Sequence, residues 1–343
     1  MGLSFGATRD DREEGSMETH RVDEAGLHLA GEHIAWGAIQ RVAIRTNSLG
    51  PWAEDVLWLF VAHDRVWEVP GGRVQGEWIP ALHRHLPRVD DLAIIAAMGC
   101  TSEAVFLVFD QGAAPADPES LGRRFATLCA RLRTSPGAEA TAHRLLAAWQ
   151  ESHRDYHGLR HLAECLEAID TLGGPAPQMA VVELAVWFHD AVFDPRARDN
   201  EERSAAWLQE FAQGAGIPVG TAGRAADLVR STAHRTGVER LRGRDADVVH
   251  DADLAVLGAH ELRFAEYEGG VRCEYGHVGS VPYALARGAF LRGLLEAGAI
   301  YRTAEFRASR EEQARRNLDA RLRTPPYRLH RWVHALRRLV GHA

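Results

Sequence analysis

His189 and Asp190 place an imidazole beside a carboxylate at the end of an apolar run, Leu184 to Phe188, within the stretch ELAVWFHDAVFDPRARDNEERSA that spans Glu183 to Ala205. The run reads as part of a buried helix over Val181 to Val192. A carboxylate in such surroundings costs several kcal/mol unless something neutralises it. Asp190 therefore needs a partner. The candidates are His157 and His161 upstream, and His234, His250, Asp251 and Asp253 downstream. His157 and His161 have the spacing of one helix face, but Gly158 marks a helix start, which leaves only His161 firmly on the helix. Asp251 and Asp253 lie among Val248, Val249, Leu254, Val256 and Leu257 and raise the same question as Asp190. Two imidazoles with two carboxylates suit a divalent transition metal such as Mn, Fe, Co, Ni or Zn better than calcium, which prefers oxygen alone. In a chain with 18 histidines an isolated His-Asp pair carries little. The ordered set His161, His189-Asp190 and Asp253, each on an expected helix, carries more.

These residues need a helical frame, and the chain after residue 138 supplies one. Helices are expected over Ala142 to Gln150, Leu159 to Leu172, Val181 to Val192, Asp199 to Ala212 and Thr221 to His234. Asp247 to Leu257, Leu262 to Val278, Tyr283 to Leu295 and Glu311 to Leu322 follow, then a basic amphipathic tail helix after Pro325-Pro326. Asp199 with Glu202 reads as a capping arrangement. Before residue 134 the pattern differs. Short β-branched and aromatic runs at Ile34–Trp36, Val42–Ile44, Asp55–Val61, Arg65–Val69 and Val105–Phe109 alternate with turns, and short helices are expected over Glu77 to Leu86 and Asp90 to Met98. Gln111 to Pro118 is linker-like, Leu121 to Leu132 is helical, and Thr134 to Gly137 breaks the chain. The expected organisation is multidomain: a disordered leader over 1–16, a small β-rich α+β domain over 17–134, and an all-α domain over 138–343.

The net charge of -7 speaks against a nucleic-acid binder driven by phosphate neutralisation. All the fixed basic side chains are arginines, since the sequence contains no lysine. Cys100, Cys129, Cys165 and Cys273 form no CxxC pair, which argues against a zinc–cysteine site or a disulfide framework and for a reducing cytoplasm. The first residues lack a signal-peptide pattern, and no apolar run approaches the roughly 18 residues of a membrane span.

The helical half resembles the HD superfamily of metal-dependent phosphohydrolases, and within it the group of predicted metal-dependent HD phosphohydrolases. The likeness rests on YHGLRHL (156–162), LAVWFHDAVFD (184–194), NEERSA (200–205), STAHR (231–235), DADLAVLG (251–258), VRCEYGHV (271–278) and EEQARRNL (311–318), in order through residues 142–323. It implies an all-α HD-type fold and a divalent metal (Mn, Mg, Co, Ni, Fe or Zn) on His161, His189, Asp190 and Asp253. The phrase around Asp253 also contains Asp251; Asp253 is preferred. The implied activity is hydrolysis of a phosphate ester, of a nucleotide or another small phosphorylated metabolite, by a metal-activated water. Glu201, His234 and Arg272 are the expected catalytic helpers, and Arg154, His157 and Arg160 the expected substrate contacts. Two other readings keep the scaffold: a di-iron oxygenase, for which His157 and His234 could be extra ligands, and a non-catalytic nucleotide sensor. Expected partners are a small phosphorylated molecule, not duplex nucleic acid or a membrane, with homo-oligomerisation left open. The N-terminal section resembles bacterial pleckstrin-homology-like domains through IRTNSLGP, EDVLWLF and the phrase from Leu86-Pro87 to Asp90. Binding or tethering fits it better than catalysis.

Overall fold

The computed structural model describes residues 20–47, 55–63, 65–87, 89–100, 104–112, 116–174, 176–233, 241–324 and 327. The expected leader, His234 and Arg235, and the tail helix beyond Tyr327 lie outside these residues. Two compact units emerge, Met1–Gly112 and Ala113–Ala343.

The first unit is β-rich. Strands β1 (Arg21–Val22), β2 (Gly26–Leu29) and β3 (Glu32–Ala35) form an antiparallel meander. Its β2–β3 turn places Ala30 at φ 50° and Gly31 at φ 79°, the two left-handed residues that a tight hairpin requires. Alanine is an unusual choice there, so the hairpin carries no sequence signal, and β1 and β2 were not expected. A second sheet runs in the order β6-β5-β4-β7, all antiparallel, from β4 (Ile39–Thr46), β5 (Val56–Ala62), β6 (Arg65–Pro70) and β7 (Ala104–Asp110). Helices α1 (Trp78–His85) and α2 (Asp91–Gly99) complete the unit. The alternation of buried residues along the strands gathers Leu27, Ile34, Val42, Trp58, Phe60, Val69, Trp78 and Leu82 into one core. Asp90 caps α2 by accepting from the Ala93 N–H at 3.0 Å.

The second unit is helical: α3 (Pro118–Leu132), α4 (Thr141–Trp149), α5 (Leu159–Leu172), α6 (Ala176–Phe188), α7 (Asn200–Gly214), α8 (Val219–Arg230), α9 (Arg244–Asp253), α10 (Glu261–Glu274), α11 (Ser280–Glu296), α12 (Ala304–Ser309) and α13 (Glu311–Leu322). Helix α3, expected in the N-terminal domain, belongs with this unit, and the division falls at Gly112 rather than at 134–138. The cause is the amphipathic stripe of α3. Leu121, Phe125 and Leu128 sink into the helical core, with the Phe125 ring edge-on to Trp187 at 5.0 Å. Arg124 and Arg131 also reach the buried Glu183 of α6 at 2.8 and 2.6 Å. Among the described residues no helix is long and apolar enough to cross a membrane.

Two boundaries matter for the site. Helix α6 stops at Phe188, so His189-Asp190 lies in the turn that follows and not inside the helix. Helix α9 ends at Asp253 rather than running on to Leu257. The capping arrangement expected at Asp199 does not form. Asn200 instead brackets the preceding loop, accepting from Asp194 N–H at 3.1 Å and donating to Asp194 O at 2.9 Å.

Candidate metal centre

Three helix ends converge. His161 lies in the first turn of α5, His189-Asp190 just past the end of α6, and Asp253 on the last residue of α9. Their donor atoms nearly touch. His161 Nε2 is 3.0 Å from His189 Nε2, 3.4 Å from Asp253 Oδ1 and 3.8 Å from Asp190 Oδ2. His189 Nε2 is 3.3 Å from Asp190 Oδ2 and 3.7 Å from Asp253 Oδ1. Both imidazoles are buried, and the two carboxylate side chains are 15% and 16% exposed.

The hydrogen bonds fix one tautomer. His189 Nδ1 is 2.8 Å from Val186 O, an atom that can only accept, so Nδ1 carries the proton and Nε2 presents its lone pair. Burial, seconded by His189, pushes His161 below the usual histidine range despite the opposing pull of Asp253, which favours the neutral ring a metal requires. Its Nδ1 meets the Tyr156 hydroxyl at 3.0 Å, a group able to donate or accept. A proton on His161 Nε2 satisfies the pair without an ion. A proton on Nδ1, donated to Tyr156, leaves two lone pairs facing each other across 3.0 Å, where a cation fits. Two nitrogens bound at about 2.05 Å to one ion stand about 2.9 Å apart at a right angle and about 3.3 Å at the tetrahedral angle. The observed spacing sits nearer the former.

His161, Cys165, His189 and Asp253 form a cluster, donor atoms within 4.8 Å of one another, that could hold a metal ion. Cys165 was not singled out from sequence as a ligand. Its sulfur lies 3.6 Å from His161 Nδ1 and 3.7 Å from Nε2. Near-equal distances place it over the ring face, away from the in-plane lone pair. Burial raises the thiol well above its ordinary range, and it donates to Ala252 O at 3.4 Å.

A cavity of about 610 Å³ opens beside the cluster. Asp190, Asp253, His157, Glu201, Arg198 and Arg287 line it, together with the aromatic side chains of Phe193, Tyr275 and Phe290. His157 Nδ1 pairs with Glu274 Oε2 at 2.7 Å and its Nε2 lies 4.0 Å from Asp190 Oδ2. Burial alone would lower His157, but Glu274, and after it Asp190 and Asp253, outweigh burial and raise it. Glu274, buried itself, is held below the usual carboxylate range by His157 and by the N–H groups of His157 and Tyr156.

Several expected residues are engaged elsewhere. Arg154 is fully buried in its side chain and donates to Asp190 O at 2.7 Å, His157 O at 3.0 Å and Ala191 O at 3.2 Å. It clamps the His189-Asp190 turn and is not among the residues that line the cavity. Arg160 pairs with Glu266 at 3.0 Å and Glu164 at 3.3 Å, away from the cavity lining. Arg272 donates to Tyr275 O at 2.8 Å and covers the Tyr283 ring at 4.7 Å, also off the lining. Its sequence neighbour Glu274 serves His157. Asp251 accepts from the N–H groups of Arg302 and Thr303 at 2.8 and 2.7 Å and from the Thr303 hydroxyl at 2.6 Å, so the structure separates it from Asp253. His250 meets Ile300 O at 3.2 Å.

Arg287 was missed. Its Nε and Nη2 bind Glu268 Oε1 at 3.0 and 2.7 Å, Nη2 also meets the Tyr267 hydroxyl, and the guanidinium lies over the Tyr267 and Phe290 rings. Nothing in its neighbours Ala286 and Gly288 marks it in sequence.

In comparison with known proteins, the chain matches no family model, no curated protein and no solved structure.

Proposed function

We propose that the helical unit is a metal-dependent phosphohydrolase of HD type, acting on a small phosphorylated molecule. The observation that carries the reading is the convergence of four donor side chains from three separated segments at the edge of one cavity. The ordered likeness of residues 142–323 to HD phosphohydrolases supports it. In this reading His161, His189, Asp190 and Asp253 hold the cation, and Cys165 walls the His161 ring. A divalent cation there supplies Lewis acidity, polarising a phosphoryl oxygen and acidifying a water.

The chain's own residues do the rest. Arg287, immobilised by Glu268 and two aromatic rings, directs its remaining guanidinium edge at a phosphate oxygen. His157, backed by Glu274, holds a proton on the cavity side for the leaving oxygen. Phe193, Tyr275 and Phe290 flank the organic part of the ester and exclude water from it. Glu201, in the first turn of α7 and on the cavity wall, orients the incoming water. Arg154 is a positioning residue: it fixes the backbone of Asp190 and Ala191.

The test is metal analysis of the purified chain with a screen of nucleotides and simple phosphomonoesters for phosphate release. Asp190→Ala should keep the far-ultraviolet spectrum and lose at least about a hundredfold in turnover. Undiminished turnover in Asp190→Ala would remove it from the ligand set. Oxygen uptake with two bound irons, in place of phosphate release, would move the site to the oxygenase class.

A further inference from the structure

We infer that the β-rich unit carries a second, surface metal site, built from Asp23, His28 and His33 and suited to a divalent first-row transition metal such as Zn²⁺ or Cu²⁺. One donor atom from each of the three lies within 4.8 Å of the other two. The fold explains why they meet. His28 on β2 stands directly opposite His33 on β3 in the antiparallel register, and the two rings are 4.8 Å apart between centroids. Asp23 belongs to the β1–β2 turn and points its Oδ2 at His28 Nε2 across 2.8 Å.

The donors are preset rather than mobile. Asp23 Oδ1 accepts from the N–H groups of Ala25 and Gly26 at 2.9 and 3.2 Å, and its backbone O accepts from Trp36 Nε1 at 2.9 Å. That leaves Oδ2 as the outward acceptor. Gly26 makes the tight turn possible, because a Cβ there would come within 2.1 Å of Ile34 O. His33 contacts the His28 ring and makes no hydrogen bond with any described residue.

A cation already occupies this corner. Arg21 donates to Asp23 Oδ2 at 2.8 Å and to His28 Nδ1 at 3.2 Å from a side chain that is 57% exposed. An exposed, singly charged side chain of this kind is weakly held. A divalent ion taking one carboxylate and two imidazoles displaces this guanidinium and the proton that His28 Nε2 donates to Asp23 Oδ2. Imidazole-rich donor sets favour Cu²⁺, with Zn²⁺ and Ni²⁺ below it. The three ligands come from the β1–β2 turn, β2 and β3, so an ion bound here staples the meander to itself.

The experiment is calorimetric titration of the metal-stripped full chain with Zn²⁺, then Cu²⁺, with thermal unfolding in parallel. His161→Ala, which alters the helical cluster, must leave this binding event in place. His33→Ala and His28→Ala change half-exposed or exposed positions and should each weaken this event by at least about tenfold. Arg21→Ala removes the competing cation and should tighten it. Binding to the folded state alone also raises the melting temperature of the parent, and His33→Ala should abolish the part due to this site. Binding curves for His28→Ala and His33→Ala that superimpose on the parent's would overturn the assignment, as would weaker binding in Arg21→Ala. Neither outcome bears on phosphate release by the helical unit.

Discussion

Replacing Tyr156 by Phe removes one oxygen from the wall of the candidate metal cluster and nothing else. The ring keeps its edge contact with Tyr267 at 4.5 Å, its packing beside His161 at 4.7 Å, and the Arg263 guanidinium over its face. What disappears is the partner of His161 Nδ1 at 3.0 Å. Without an ion the variant has an escape: the His161 proton moves to Nε2 and faces His189 Nε2 across 3.0 Å, leaving a bare Nδ1. Losing one such buried hydrogen bond costs about 1 kcal/mol of stability. With an ion on Nε2 the proton must sit on Nδ1, and a buried N–H then points at no acceptor. The nearby Cys165 thiol is already committed to Ala252 O at 3.4 Å. The metal-bound form therefore suffers more than the metal-free one. Partners of this kind are worth about 10- to 100-fold in metal affinity, or about 1.4–2.7 kcal/mol. Competitive titration against a metallochromic chelator measures the affinity, and urea unfolding of the stripped protein measures the smaller effect. Equal affinity in parent and Tyr156→Phe would refute the tautomer argument and with it His161 Nε2 as the bound atom.

Three further outcomes are expected. Asp251→Asn should destabilise the fold by about 1–3 kcal/mol, because its amide would face the Arg302 and Thr303 N–H groups, while metal content survives; Asp253→Asn should do the reverse, as unfolding curves and metal analysis will show. Glu164 is pressed down to about 2, since the Arg263 and Arg160 guanidinium groups outweigh its burial. A folded value below the unfolded 4.5 means stability present above that pH and lost as pH falls toward 2, at most about 3 kcal/mol from this group; Glu164→Gln should flatten that acid limb of the stability curve. Arg287→Gln should raise KM for a phosphate ester at least about tenfold and leave metal binding unchanged, and steady-state kinetics that show no change in KM would remove it from the phosphate contacts.

The convergence of the candidate ligands was more legible in the sequence than the surroundings of that cluster, for a physical reason. His161, His189, Asp190 and Asp253 are short or stiff side chains close to apolar runs, so the position of the backbone largely fixes the position of the donor atom. Arginine is different. Arg154, Arg160 and Arg272 flank the motif, yet each guanidinium sits at the end of a long flexible stem and turned to a nearer acceptor: the Asp190 and Ala191 carbonyls, Glu266, and the Tyr275 carbonyl. Arg287 reaches the cavity from α11 with no motif around it. The same limit explains Glu274, which follows Arg272 by two residues but pairs with His157. The β-rich unit was read correctly where β-branched alternation marks β4 to β7, and missed where the β2–β3 turn uses Ala30 in a left-handed conformation.

The ends of the helices, more than their middles, are what would favour a cation at this spot. Both α6 and α9 terminate at the cluster, and the carbonyl end of a helix carries about half a negative charge. The unpaired carbonyls of α6 need donors, and one of them comes from the site itself: His189 Nδ1 takes Val186 O at 2.8 Å, while Trp149 Nε1, whose ring lies 5.4 Å from that of His189, takes Trp187 O at 3.2 Å. Arg154 then ties the carbonyls of Asp190 and Ala191, inside the turn that leaves α6. Satisfying the α6 terminus thus orients the His189 ring, which leaves its Nε2 lone pair directed at His161. Two carboxylates and the two carbonyl ends outweigh the amino end of α5, which also meets the cluster, and Arg154 is spent on backbone oxygens with Glu151 beside it at 3.0 Å. A divalent ion is the charge this arrangement accommodates best, so adding one to the stripped chain should raise its melting temperature; a melting temperature unmoved by Zn²⁺ or Mn²⁺ in a variant that lacks the Asp23, His28 and His33 cluster would count against the helical site.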